Sequence, residues 1–182
     1  PQIHHLTPRF ILEQHGRGIW SGELQAATMF LDISGFSAMI DALMEHGQHG
    51  AEVAAGIMRA VLEPAIDTVF SYGGFVANQA GDALTPIFPA GETGDEKAAL
   101  RAVVAAAARI QAVRQAQSSH ESPYGSFAIG VKIGLAAGEV QWGIVRSADD
   151  QHAMYYFRGP AIDACADAEH RASSGDIMLA PE

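Results

Sequence analysis

Met29-Phe30-Leu31-Asp32-Ile33-Ser34-Gly35-Phe36-Ser37 carries an apolar run into a charge and then into a chain break. Residues 27–33 have strand propensity, and the Ser34-Gly35 pair stops the strand. Beyond it, Met39, Ile40, Leu43 and Met44 recur at helical spacing, with Ser37 placed to cap that helix. Asp32 therefore falls at the end of a buried strand, where an unpaired charge is costly. Two readings stand: a metal ligand, or a carboxylate that caps the following helix.

Working outward, a second helix is expected after Gly47 and Gly50. Val53, Ile57, Val61, Ala65 and Val69 lie along one face, Pro64 predicts a kink, and Gly73-Gly74 ends it. Two short strands follow at 75–79 and 83–88, with Ala80-Gly81-Asp82 as the tight turn between them. Pro86 points to an edge strand or an early strand end. Thr93-x-x-Glu96 has the pattern of a capping box and opens a helix that buries Leu100, Val103, Val104, Ala107 and Ile110. Phe127, Ile129, Val131, Ile133 and Leu135 alternate as a half-buried strand. Gly138-Glu139 is expected to turn it into another strand, 140–145, and Asp149-Asp150 to turn that into a third at 153–158. Gly159-Pro160 starts a helix to about Ala172, and a last strand covers 177–180. Residues 1–24, with Pro8, Gly16, Gly18 and Gly22, read as an irregular leader or linker that leaves 25–182 as the domain. The order is α+β, one sheet with helices on one side.

Composition narrows the function. The net charge of −10 excludes a broad basic surface that coats nucleic acid. An anionic small molecule remains possible if a metal or backbone amides supply the positive potential. A single cysteine, Cys165, excludes an internal disulfide and points to a reducing, cytoplasmic setting. No run approaches the ~18 apolar residues of a spanning helix, so no membrane partner is expected. The chain begins at Pro1 and reads as a domain cut from a longer protein.

Asp82, in its hairpin turn, joins Asp32 as a second carboxylate of note. Either alone also reads as a cap or turn residue; together they suggest a divalent cation held by oxygen ligands. Their surroundings add a resemblance. The 29–37 stretch resembles the first signature of class III adenylyl and guanylyl cyclases. Gly73-Gly74-Phe75-Val76-Ala77-Asn78-Gln79-Ala80-Gly81-Asp82-Ala83-Leu84 resembles the second, and Val131-Lys132-Ile133-Gly134-Leu135-Ala136-Ala137-Gly138-Glu139-Val140 the third. Tyr155-Tyr156-Phe157-Arg158-Gly159-Pro160-Ala161-Ile162-Asp163 lies where the last begins. The motifs fall in the family's order and spacing over residues 26–181. The wording is nearest the N-terminal, metal-bearing domain of soluble, bicarbonate-type tandem cyclases in large multidomain proteins.

The resemblance implies a ferredoxin-like antiparallel sheet covered by helices, related to polymerase palms and working as a dimer of two such domains. It implies two Mg²⁺ or Mn²⁺ ions on Asp32 and Asp82, with the Ile33 carbonyl completing one site. The amides of Ser34, Gly35, Phe36 and Ser37 would cradle phosphate at a helix N-terminus. The expected reaction converts a nucleoside triphosphate, ATP before GTP, to a 3′,5′-cyclic nucleotide and pyrophosphate. The family's purine-reading Lys is Asn78 here, and the second purine position is Tyr156. The ribose Asn and the transition-state Arg are Asp163 and Asp167. A carboxylate opposes developing phosphate charge. A second cyclase-like domain, in the same chain or a homologue, is therefore the expected partner; a homodimer would have metals but neither the Lys nor the Arg. Bicarbonate regulation is not implied, since Asn78 stands where that branch has its Lys. The rival reading is a non-catalytic nucleotide- or metal-binding regulatory module. Cys165 reads as core, Trp142 as core or dimer contact, His46 and His49 as surface, and Arg158 as a surface ion pair or a phosphate or partner contact.

Overall fold

The computed structural model describes residues 7–91, 94–149 and 151–181. Five strands lie in the order β2 (Phe75–Ala80), β3 (Ala83–Pro89), β1 (Ser21–Ser34), β6 (Gly130–Arg146), β7 (Ala153–Arg158), each antiparallel to its neighbour. A sixth, β8 (Ile177–Leu179), joins the first half of β6 in parallel. A separate hairpin pairs β4 (Ser119–Ser122) with β5 (Gly125–Ala128). The helices are α1 (Arg9–Gly16), α2 (Phe36–Met44), α3 (Gly47–Ser71), α4 (Glu96–Ala116) and α5 (Pro160–Glu169). The architecture is the expected α+β one.

Strand parity sorts the core. Odd residues Met29, Leu31 and Ile33 of β1, and Val131, Ile133 and Leu135 of β6, pack with the apolar faces of α3 and α4. Helices cover the other face as well, contrary to the one-sided layer expected. There several even positions are small or polar, among them Ala26, Thr28, Gly134 and Ala136, and Thr28 donates to the Ala161 carbonyl of α5 at 2.8 Å. Gly134 lets the α5 backbone lie directly on β6; a Cβ there would overlap the Cys165 carbonyl oxygen and the Glu169 amide. Cys165 is fully buried beneath that contact, as expected, and burial pushes its thiol up to about 11.

Several local expectations yield to tertiary structure. The supposed leader contains α1 and the start of β1, because buried Ile11 and partly buried Phe10 anchor it. Phe10 stacks on Phe75 at 5.7 Å and meets Trp142 edge-on at 5.2 Å. The sheet curls enough to bring the edge strands together, with Phe75 and Phe157 centroids 5.4 Å apart. Trp142 is core, alongside Ile144. Pro86 is not on an edge: β3 lies between β2 and β1. A bulge between Val76 and Asn78 on β2 disturbs the ladder near Pro86. Gly138 does not turn the chain. It adopts φ 147° inside β6, and pairing to β1 continues through it without a register shift. The strand read through Phe127 to Leu135 is broken instead at Ile129, whose amide donates to Ser118, so Phe127 belongs to the β4–β5 hairpin. Thr93 and Asp150 lie outside the described residues. Asp95 caps α4, accepting from the Ala98 amide at 2.9 Å. His46 and His49 are exposed, yet both contact Tyr124. Arg158 donates to Gln141 at 3.2 Å and lies over the Tyr156 ring.

The close seat of α5 on β6 can be tested with two glycines. Gly134→Ala is expected to destabilise by about 1–3 kcal/mol, as overpacking does. Gly56→Ala, in α3 with open space around it, is expected to stabilise by about 0.5–1 kcal/mol. Urea unfolding midpoints measure both.

Candidate active site at the Asp32 end of β1

Register places the two carboxylates. Leu31 of β1 pairs with Leu84 of β3. The pairing ends there; the same register, carried on, would set Asp32 beside Ala83 and Ile33 beside Asp82. Asp82 thus belongs to the turn that closes the β2–β3 hairpin next to the end of β1. Gly81, at φ 63°, makes that two-residue turn. The carboxylates meet at one end of neighbouring strands rather than across the sheet.

The electrostatics agree with that proximity. Partial burial is the main cause that raises the Asp82 carboxyl above its usual range, and the Asp32 charge adds to it. Its own backbone amide and the Lys132 ammonium pull it down by less. Two carboxylates in one half-buried site call for a cation. In this structure the cation is Lys132, which register places opposite Asp32 on β6. Its Nζ lies 3.1 Å from Asp32 Oδ2 and 2.7 Å from Glu169 Oε1. The Glu169 contact lies at an ion pair's distance, outside the alignment of a regular hydrogen bond. Glu169 is 2% exposed. Glu169 and Asp32 hold the lysine's pKa above its ordinary value, against the desolvation that opposes them.

The stretch after Asp32 turns at Gly35, whose φ is 88°. A Cβ there would sit 2.5 Å from the Ala128 carbonyl oxygen, so the position requires glycine. No side chain caps α2, and Ser37 does not take the capping role expected of it. Ser34 instead hydrogen-bonds to Ser174 at 2.8 Å. The amides around Ser34, Gly35, Phe36 and Ser37 thus lead into a helix N-terminus that no side chain occupies.

The remaining expected positions lie elsewhere. Asn78 on β2 and Tyr156 on β7 line one groove of about 560 Å³, together with Ala77, Thr85, Phe157 and Ile162. Asp163 and Asp167 are exposed on α5. The structure therefore groups the two carboxylates with Lys132, and the two purine positions with each other in a second place. Lys132 and Glu169 are the residues that sequence reading missed. Lys132 had a signal: one of the chain's two lysines stands inside an apolar strand. Glu169 had none, because its role depends on how α5 seats on Gly134.

The fit of this donor set to divalent cations can be judged from its chemistry. Among the described residues no three His, Cys, Asp or Glu side chains form a metal cluster. Two carboxylates beside a backbone carbonyl and a free helix N-terminus suit Mg²⁺ or Mn²⁺. Such ions take one or two carboxylates and complete their shell with substrate phosphates and water.

Comparison with known proteins places the fold. The fold is that of the class III adenylyl and guanylyl cyclase catalytic domains. Among solved structures it resembles the adenylyl cyclase CyaB from P. aeruginosa, with a TM-score of 0.63, 20% identity, and 87% of this chain and 78% of that chain covered. It also resembles the dimeric guanylyl cyclase domain of the RhoGC fusion protein from Blastocladiella emersonii, with a TM-score of 0.65, 16% identity, and 87% and 80% covered. In sequence it is a homologue of human adenylate cyclase type 10, 30% identical over 155 residues, 84% of this chain. The chain spans 9% of that relative's length. No protein-family model matches it. Among the described residues no helix is long and apolar enough to cross a membrane.

Because its folded pKa is raised, ionised Asp82 costs stability at neutral pH, and protonation removes the cost. Asp82→Asn is therefore expected to raise the melting temperature at pH 7. The gain should shrink as pH falls through the raised folded value towards the ordinary carboxyl value of 3.8, and vanish below it. Calorimetry across that range measures it; a gain that grows on acidification contradicts the assignment.

Proposed function

We propose that this domain is the metal-bearing half of a nucleotide cyclase, acting on ATP in preference to GTP and completed by a second cyclase-like domain. The observation that carries the proposal is the convergence of Asp32 and Asp82 at one strand end, beside an uncapped helix N-terminus. Metals on this pair would activate the ribose 3′-hydroxyl and stabilise the departing pyrophosphate. The chain's own part is positional. Asp32, Asp82 and the Ile33 carbonyl fix the cations. The amides of Ser34 to Ser37 hold phosphate oxygens, and Lys132 adds a positive charge within reach of the same end. In the reaction the 3′-oxygen bonds to the α-phosphorus, its proton leaves, and the bond to the β-phosphate breaks. The adenylate preference rests on the sequence relative, which is named as an adenylate cyclase. Dimeric assembly rests on the RhoGC domain, which is described as dimeric.

At the positions that would meet the developing charge from the other face, the chain carries carboxylates. Asp163 and Asp167 are exposed carboxylates where the family has the ribose Asn and the transition-state Arg. Asn78 cannot act as a purine-reading lysine. These same positions favour the second reading, a regulatory module that binds nucleotide or metal without turnover.

The test is cyclic AMP and cyclic GMP formation with Mn²⁺, by this chain alone and mixed with a class III half that carries the Lys, Asn and Arg. The mixture should exceed the chain alone by about 10²-fold or more, and Asp82→Ala should abolish the product. A mixture that associates and binds nucleotide yet makes neither product supports the regulatory module instead.

A further inference from the structure

Glu169 is a carboxylate that the proposed chemistry does not use, buried at 2% exposure in the last turn of α5. A buried carboxylate needs a counter-charge, and the Lys132 ammonium at 2.7 Å is the one supplied. The contact follows from packing. Lys132 and Gly134 share a face of β6, and the missing side chain at Gly134 lets the α5 backbone close to within 2.9 Å of where its Cβ would stand, at the Glu169 Cα. The second partner of Lys132, Asp32 Oδ2 at 3.1 Å, is a carboxylate oxygen that a divalent cation also needs. An ammonium and a divalent cation repel, and they compete for the same oxygen.

We infer that Glu169 is a positioning residue that makes Lys132 an exchangeable internal counter-ion of the metal site. Without metal, Lys132 bridges Asp32 and Glu169, and the charge of the site is partly compensated. When a cation takes Asp32, the ammonium stays paired on Glu169 and remains beside the site. Without Glu169, Asp32 would be its one ion-paired carboxylate among the described residues, and Lys132 would hold that oxygen against the metal. The inference rests on the reading that Asp32 and Asp82 bind divalent cations, and it adds that Glu169 and Lys132 set how strongly they do so.

The test is Mn²⁺ affinity of the 182-residue chain without nucleotide, read from the free-ion electron paramagnetic resonance signal at fixed pH and salt. Glu169→Gln is expected to weaken binding about tenfold, since the freed ammonium competes for Asp32 and one negative charge is gone. The double variant Lys132→Met/Glu169→Gln is the deciding one. It has the same local net charge as the wild type, but the competitor is absent, so it is expected to bind Mn²⁺ about tenfold more tightly than wild type. Equal affinity of the double variant and the wild type would mean that only the summed charge matters, and would overturn the inference. So would a Glu169→Gln variant that keeps wild-type affinity, as a purely structural Glu169 predicts. Cooperative thermal unfolding verifies that each variant is folded. Lys132→Gln/Glu169→Gln replaces the double variant if the methionine form does not fold. Asp82→Ala separates the two levels. If it leaves Mn²⁺ affinity unchanged, the metal assignment itself fails. If it abolishes binding while the double variant matches wild type, only the role of Glu169 fails.

Discussion

The unbroken antiparallel pairing of β1 with β6 is the constraint on which the rest depends. It runs from Ser21 opposite Gly143 to Ser34 opposite Gly130 in a single register. A slip of one residue would move every side chain to the other face of the sheet. In the register observed, odd residues build the core under α3 and α4. Even residues meet α5, and among them Asp32 lies opposite Lys132. The same alternation that buries Leu31 and Ile33 therefore turns Asp32 toward the only layer that can supply Glu169. Core and site are fixed by one choice of register.

The acidic balance of the chain is consistent with an anionic substrate when charge is read locally. Asp32 and Glu169 share one ammonium, and the Asp82 carboxylate lies within electrostatic reach of it, so the site retains negative charge that attracts divalent cations. Those cations, with the N-terminus of α2, would supply the positive potential for a triphosphate. Lys132 keeps the resting site from bearing the whole repulsion, which adds to burial in raising the pKa of Asp82. Stability and function pull in opposite directions at that residue, as is common where a fold keeps charges close together.

What the sequence conveyed was local and patterned. Asp32 before a Ser-Gly break, Asp82 in a Gly-Asp turn, and the alternation of Val131, Ile133 and Leu135 could all be read without a structure. Long-range consequences could not. Gly138 has the look of a turn, but fourteen paired residues of β1 hold β6 straight through it. Pro86 has the look of an edge, but a bulge in its neighbour accommodates it inside the sheet. Residues 9–16 lack a strong periodic signal, and their helix exists because Phe10 fills the space between Phe75, Trp142 and Phe157. Glu169 carries no motif at all. It becomes part of the site only through the absence of a side chain at Gly134, a tertiary fact invisible in one dimension.

The central claim is that Asp32 and Asp82 together hold the catalytic cations. Anomalous diffraction at the manganese edge, from crystals grown with Mn²⁺ and a non-hydrolysable ATP analogue, tests it most directly. A metal-bearing half-site predicts manganese peaks within coordination distance of both carboxylates, with Lys132 withdrawn from Asp32 and still paired to Glu169. Nucleotide bound in the crystal with no manganese at Asp32 or Asp82, and Lys132 still on Asp32, would contradict it.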